Sequence, residues 1–362
     1  MNGIYTIKHS ARCLFQHLSK PELAIIGGYH LGNFGDMLLG NSIKEICSEK
    51  GIKSGLQTIY NLEKWPAISH AIIGGGAVGY EYSLQKLIKR YKNNPEKIGF
   101  LGVDFNEKQY SKESIQFLKD VKFITCRSEI QQTKMKNLTG RNDILFHQDL
   151  VFAFRRKFFK EIKSIPAERK PKLFINILPL YATLKENKLI PNLHYQNENP
   201  HFFEHFDEYQ KAYLKLIFEI IQIGKENNFE IETLPFSFQD ESMAKSFIHD
   251  TSIKQNKYDI NIQNNINRIK PIDWVFSTRL HVTIMAIKAG AKLTALTYAD
   301  KNVRLLNDLN VKENQFIKLE DLLKPIEHLK SIHFISDNKL INTLSDSVSQ
   351  IIENKISSLF ND

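Results

Sequence analysis

Apolar runs that stop at glycine or at polar residues mark out the first half of the chain: Leu23–Gly28 (LAIIGG), His70–Gly76 (HAIIGGG), Ile98–Val103 (IGFLGV) and Lys122–Cys126 (KFITC). Short apolar runs bounded by turn residues predict strands buried on both faces, as in a parallel sheet. Between them the apolar spacing turns helical, over Met37–Glu49, Ser83–Lys92 and the residues after Arg127-Ser128-Glu129. Ile144–His147 predicts a fifth short strand, followed by Gln148 and Asp149. Strands alternating with helices predict a mostly parallel α/β sheet over about residues 20–155.

The pattern breaks at Arg155–Lys172, a basic stretch with two prolines that reads as a domain seam. It then restarts. Strands are predicted at Leu173–Leu178, Phe229–Leu234, Asp259–Ile262, Ile272–Ser277 and Lys292–Leu296, and a long helix at Phe206–Asn227. Asp337–Phe360 has helical apolar spacing. The expected architecture is α/β with two facing Rossmann-like domains, 1–160 and 171–330, and a C-terminal helix (337–362) packing back on the first. Ligands in such sheets bind beyond the carboxyl ends of the strands. Asn33, Gly74, Arg127, Asp149, Asp240, Arg279 and Lys301 fall at those ends.

Composition narrows the partners. The chain has 362 residues, a net charge of +9 and a pI near 9.1, which favours anionic partners. No RNA- or DNA-binding module is recognisable, so nucleic acid is not an expected partner. Cys13, Cys47 and Cys126 lie far apart, which fits a reducing compartment and no cysteine-type zinc site. With no apolar run of spanning length and no signal-peptide pattern, a cytoplasmic protein is expected, with peripheral contact at the inner face of the plasma membrane left open through the basic seam.

The stretch Val275–Gly290 (VFSTRLHVTIMAIKAG) predicts a strand end, a turn and a helix stopped by glycine. Ser277 or Thr278 is the expected cap, with Arg279 and His281 in the first turn. A cation at the positive end of a helix calls for an anion, either a bound phosphate or carboxylate or a neighbour such as Asp273. His201-Phe202-Phe203-Glu204-His205 spells H-x-x-E-H, a zinc-peptidase-like spacing. The surrounding chain reads as loop, so a solvated helix start, open to acceptor contact, is the better account, and no metal is expected.

Taken together, GNFGD (Gly32–Asp36), IIGGGA (Ile72–Ala77), TCRSE (Thr125–Glu129), STRLH (Ser277–His281) and TYADKNVR (Thr297–Arg304) resemble the polysaccharide pyruvyl transferase family. Ser128 stands where that family often has Asp. The resemblance implies a GT-B-like fold and transfer of pyruvate from phosphoenolpyruvate, a co-substrate with no further cofactor, onto two hydroxyls of a saccharide as a cyclic ketal. The saccharide could be carried on a lipid or a nucleotide. The trianionic donor needs fixed cations, for which Arg279, Arg127, Lys301 and Arg304 are candidates. His281 is the candidate acid, and Asp36 or Asp149 the candidate base. Ser277, Asn33, Gly32, Gly74, Gly75, Gly76 and Asp149 complete the expected substrate contacts. Two alternatives stay open: a glycosyltransferase using a nucleotide sugar, with Glu232 or Asp240 on the ribose, and a non-catalytic saccharide-binding protein.

Overall fold

Every residue of Leu23–Gly27 (β1) is buried, and the strand pairs in parallel with Ser54–Thr58 (β2) on one side and His70–Gly76 (β3) on the other. The computed structural model describes residues 2–29, 32–105, 109–155, 169–326 and 329–361. Most of the basic seam, 156–168, lies outside them. The chain splits into two compact units: Met1–Phe158 with Asn342–Asp362, and Phe159–Ile341.

Among the described residues, the first unit holds a parallel sheet in the order β2-β1-β3-β4-β5-β6, where β4 is Ile98–Val103, β5 Phe123–Cys126 and β6 Leu145–Phe146. Strand order reverses between β1 and β3, which opens a crevice at their carboxyl ends. Helices Phe34–Glu49, Glu81–Tyr91, Lys112–Asp120 and Glu129–Thr139 follow the strands. Gly74 shows how closely they pack: a Cβ there would lie 2.2 Å from Ile43 Cδ1. Gly75 and Gly76 have φ of +70° and +81°, a region that costs a side-chain-bearing residue steric strain. The triple glycine therefore admits the helix Phe34–Glu49 and turns the chain at the strand end.

The helix Asn338–Phe360 buries Val348, Ile352, Ile356 and Leu359. Its end joins the first unit: Lys122 Nζ donates to Asn361 O at 3.0 Å, and the Phe360 ring lies 4.7 Å from that of His70.

In the second unit the sheet runs β10-β7-β11-β12-β13, where β7 is Lys172–Ile175, β10 Glu230–Thr233, β11 Trp274–Ser277, β12 Lys292–Thr297 and β13 Ile317–Lys318. The hairpin β8 (Ala182–Lys185) and β9 (Lys188–Pro191) stands apart from it. Leaving out the hairpin, the order of these five strands repeats that of β1–β5 in the first unit, and the reversal falls between β7 and β11. The helix Phe206–Glu226 turns Tyr209, Tyr213, Leu216, Ile217 and Ile220 into the core. Gly224 lets it approach β7, since a Cβ there would sit 2.6 Å from Leu173 Cδ2.

Some elements differ from expectation. Asp259–Ile262 is no strand: Asn261 accepts from the amides of Gln263 and Asn264 and caps a helix, Ile262–Ile269. The helix Asn2–Ser19, β2, the hairpin and β13 had no counterpart in the apolar pattern.

His147 illustrates how the first core is closed. Its Nδ1–H donates to Gln148 O at 2.7 Å, so Nε2 accepts from Thr125 Oγ1 at 2.8 Å, and Thr125 Oγ1 in turn accepts from Gly102 N. Burial lowers the His147 pKa below its ordinary 6.5. The neutral ring's contribution is therefore complete above about pH 6.5 and is lost as pH falls below that value towards the depressed one. Melting temperature should drop between pH 7 and 5, and a folded His147→Gln protein, which bonds but does not titrate there, should show a flatter slope. An unchanged slope would remove His147 from the acid sensitivity.

Candidate functional site

In the second unit, the β7/β11 reversal brings Asn176, just past β7, against the turn Thr278-Arg279 after β11. Asn176 is fully buried. Its Oδ1 accepts from Arg279 N at 3.2 Å, and its Nδ2 donates to Leu234 O and to Asp240 Oδ2 at 2.9 and 3.1 Å. Arg279 occupies the cap position of the helix Leu280–Lys288, in place of the expected Ser277 or Thr278. Ser277 is buried and donates to Arg279 O at 3.1 Å, which shapes the turn. Thr278 Oγ1 donates to Asn176 O.

The guanidinium of Arg279 meets an anion of the chain itself. Its Nε lies 2.8 and 2.7 Å from the two Asp240 carboxylate oxygens, and its Nη2 donates to Asp240 Oδ1 at 2.5 Å and to Ser237 Oγ at 2.7 Å. Asp240 is 1% exposed and also accepts from Phe236 N and Ser237 Oγ. Asp273, the neighbour considered from sequence, is not the partner. It precedes β11 while Arg279 follows it, roughly 13 Å of strand away at about 3.3 Å per residue. Asp273 instead pairs with Arg169 and accepts from Lys172 N.

His281 lies half-buried in the first turn, two residues from Arg279. Lys301 is exposed on the helix Asp300–Asp308, and Arg304 Nε reaches back to Asp300 O at 3.4 Å. Between them Asn302, 3% exposed, donates to Thr278 O at 3.3 Å and ties that helix to the Arg279 turn.

In the first unit, Asn33 caps the helix Phe34–Glu49 by accepting from Gly35 N at 3.0 Å, while its Nδ2 donates to Asp36 Oδ2 at 2.9 Å. Asn33 is therefore the capping residue, and Asp36 lies in the first turn of the helix. Gly32 immediately precedes it. A Cβ added at Gly28 would lie 3.9 Å from Asp36 Oδ2 and 3.6 Å from Tyr60 Oη, so Asp36 and Tyr60 stand over the end of β1. Burial first, then the Asp36 charge, raise the pKa of both Tyr29 and Tyr60. Gly74, Gly75 and Gly76 end the adjacent β3.

Arg127, after β5, is clamped between two carboxylates. Nε donates to Asp104 Oδ2 at 2.8 Å, Nη2 reaches the same oxygen, and Nη1 donates to Asp149 Oδ2 at 3.3 Å. Burial opposes its charge, but Asp104 and Asp149 outweigh that and raise its pKa. The triad carries a formal −1, so Arg127 joins the ends of β4 and β5 to the segment after β6 and is no isolated cation for a trianion. Asp149 also caps Leu150–Ala153 through Val151 N at 3.0 Å. Ser128, the departure from the family pattern, caps Glu129–Thr139 by accepting from Gln131 N, a role Ser fills as well as Asp.

Sequence reasoning missed Asn176, Ser237, Asp104, Tyr60 and Asn302. Asp104 immediately follows the apolar run Ile98–Val103, and Asn176 is the one polar residue inside the run read as the strand Leu173–Leu178, which the structure ends at Ile175; those positions were the available signal. Glu232, offered for a ribose, is 2% exposed and committed to Lys172 at 2.8 Å and Lys254 at 3.0 Å, and Asp240 is committed to Arg279.

Two Rossmann-like domains of this kind define a GT-B-like fold. The chain belongs to the polysaccharide pyruvyl transferase family, whose sequence model matches residues 33–300. Curated proteins gave no match. Solved structures share the fold at low identity. They include a putative UDP-N-acetylglucosamine 2-epimerase from Listeria monocytogenes (9% identity, 94% of this chain and 97% of that one, TM-score 0.50). An S. aureus MnaA–UDP co-structure is similar (7%, 94% and 98%, 0.51), as is an OtsA apo structure (10%, 94% and 99%, 0.50). Among the described residues no helix is long and apolar enough to cross a membrane.

Proposed function

We propose that the protein transfers pyruvate from phosphoenolpyruvate to a saccharide, forming a cyclic ketal and free phosphate. The observation that carries this reading is the Ser277–His281 turn. It holds a guanidinium and an imidazole two residues apart at a strand-order reversal, in a chain of the pyruvyl transferase family. Asp240 and Ser237 hold Nε and Nη2 of Arg279 and fix the plane of its guanidinium, beside which the donor's anionic groups would bind. Helix N-termini and guanidinium forks both favour such anions. Lys301 adds a mobile point charge.

Protonation of the methylene carbon, assigned to His281, makes a methyl group and an oxocarbenium-like centre. One sugar hydroxyl attacks that centre and loses its proton. The C–O bond to phosphate then breaks, and the second hydroxyl closes the ketal. Of the two hydroxyl protons, one balances the proton given to carbon and the other leaves with phosphate. Asp36 is the carboxylate assigned to a hydroxyl proton. The acceptor is a saccharide on a lipid-linked or nucleotide-linked intermediate, with contact to an anionic membrane surface as a further part of the proposal.

Phosphate release from phosphoenolpyruvate, run beside nucleoside diphosphate release from sugar nucleotides over a panel of saccharide acceptors, tests the reading. Acceptor-dependent phosphate release is the expected result. Nucleoside diphosphate release without it would establish the glycosyltransferase alternative. Binding of saccharide with neither release would establish a non-catalytic protein.

A further inference from the structure

The pair of helices Pro200–Glu204 and Phe206–Glu226 breaks at His205, whose φ and ψ are −111° and 32°. Phe202 and Phe206, 4% and 8% exposed, anchor the two sides of this break in the core with ring centroids 5.7 Å apart. The opposite side of the junction carries His201, Glu204 and His205. One possible ligand atom from each lies within 4.8 Å of the others. The two imidazoles face each other edge to face with centroids 4.8 Å apart. His205 N also donates to His201 O at 3.3 Å, so the two ligand-bearing residues are joined through the backbone.

The expectation of no metal rested on scattered cysteines and a loop around this motif. The geometry points instead to a binding site for a divalent transition-metal cation, held by His201, Glu204 and His205 as a clip across the helix junction. Two imidazoles and one carboxylate suit zinc, with water filling the remaining coordination position. Bonds of about 2.0–2.2 Å to one ion require the donor atoms to draw closer than they stand. His201 and Glu204 are exposed and His205 is half-buried, so side-chain rotation supplies that movement while Phe202 and Phe206 keep the backbone in place. His205 Nδ1 lies 3.4 Å from Glu208 Oε2. A carboxylate on one ring nitrogen orients the other towards a metal, so Nε2 is the ligand here and Glu208 the outer support. The role is a local staple and no step of pyruvyl transfer runs through it.

Zinc chloride is titrated into tag-free full-length protein by calorimetry, and melting curves are recorded with and without the ion. The expected result is one saturable zinc per chain and a higher melting temperature with zinc, because an ion that binds only the folded state stabilises it. An outer-shell partner alone is worth about 10–100-fold in metal affinity, so His201→Ala or His205→Ala should weaken binding at least that much. Glu208→Gln should weaken it less. The His201→Ala variant should melt like the parent without zinc, since that side chain is exposed. Absence of saturable binding in the parent, or equal binding in the His201→Ala/His205→Ala protein, overturns the site.

Discussion

Arg279→Ala is expected to destabilise the protein by about 3–5 kcal/mol, the cost of stranding one member of a buried ion pair. Asp240 is 1% exposed and receives donors from Arg279, Asn176, Ser237 and Phe236. Without the guanidinium its charge is left in a site closed to water, and neutral donors alone do not compensate it. Arg279→Lys keeps the charge but replaces the fork with a point donor, so it should recover part of the loss. Asp240→Asn combined with Arg279→Met removes both charges and should recover most of it, because a buried pair exchanged for neutral groups is often close to neutral in stability. Denaturant unfolding of the four proteins reads this directly, and a parent-like midpoint for Arg279→Ala would show that the pair does not form in solution. The same series separates structure from donor binding. In a folded Arg279→Ala protein phosphoenolpyruvate affinity should fall roughly 30- to several-thousand-fold, corresponding to about 2–5 kcal/mol for a lost desolvated charged contact, and Arg279→Lys, which keeps the charge but loses the fork, should weaken binding less. Unchanged affinity in the Arg279→Ala protein would move the donor site elsewhere.

What could be read from the chain alone follows from how each element is stabilised. β1, β3 and β4 are buried on both faces, so their sequences are short continuous apolar runs, which their length and the glycines in them mark as strands. β2 has the sequence SGLQT, whose Gln57 is fully buried and bonded to Pro66 O, so the strand carries no apolar signature. The strand misread at Asp259–Ile262 had a legible alternative in Asn261, a cap residue ahead of Ile262, Ile266 and Ile269 at helical spacing. The candidate site divides the same way. Arg279 and His281 belong to one turn and could be found together. The partners Asn176, Ser237 and Asp240 lie 103, 42 and 39 residues from Arg279 and meet it only through the β10-β7-β11 order. Arg127 read as a cation because Asp104 and Asp149 are 23 and 22 residues distant in the chain. Sequence proximity favoured Asp273 for Arg279, although a strand keeps its two ends apart.

His281→Ala is expected to bind phosphoenolpyruvate nearly as well as the parent and to turn over about 100- to 10,000-fold more slowly, the span that a positioned proton donor contributes. The argument begins with the turn. Asn176 holds the Arg279 amide and Asp240 holds its guanidinium, so the first turn of Leu280–Lys288 is set before any ligand arrives. His281 follows two residues later on the same turn, where the proposed function places the donor. The step assigned to it moves a proton to carbon, which a hydrogen bond alone cannot do. His281→Gln should therefore be as slow as His281→Ala, because an amide bonds to the donor but gives up no proton near neutral pH. A histidine that only contacts phosphate predicts the reverse: Gln restores much of the rate and Ala weakens binding. A histidine that only packs predicts a third outcome, in which both variants lose melting temperature before they lose chemistry. Affinity, single-turnover rate and melting temperature measured on the two variants decide among these. The acid assignment fails if His281→Gln retains more than about a tenth of the parent rate, since that is well above the residual turnover a lost general acid leaves.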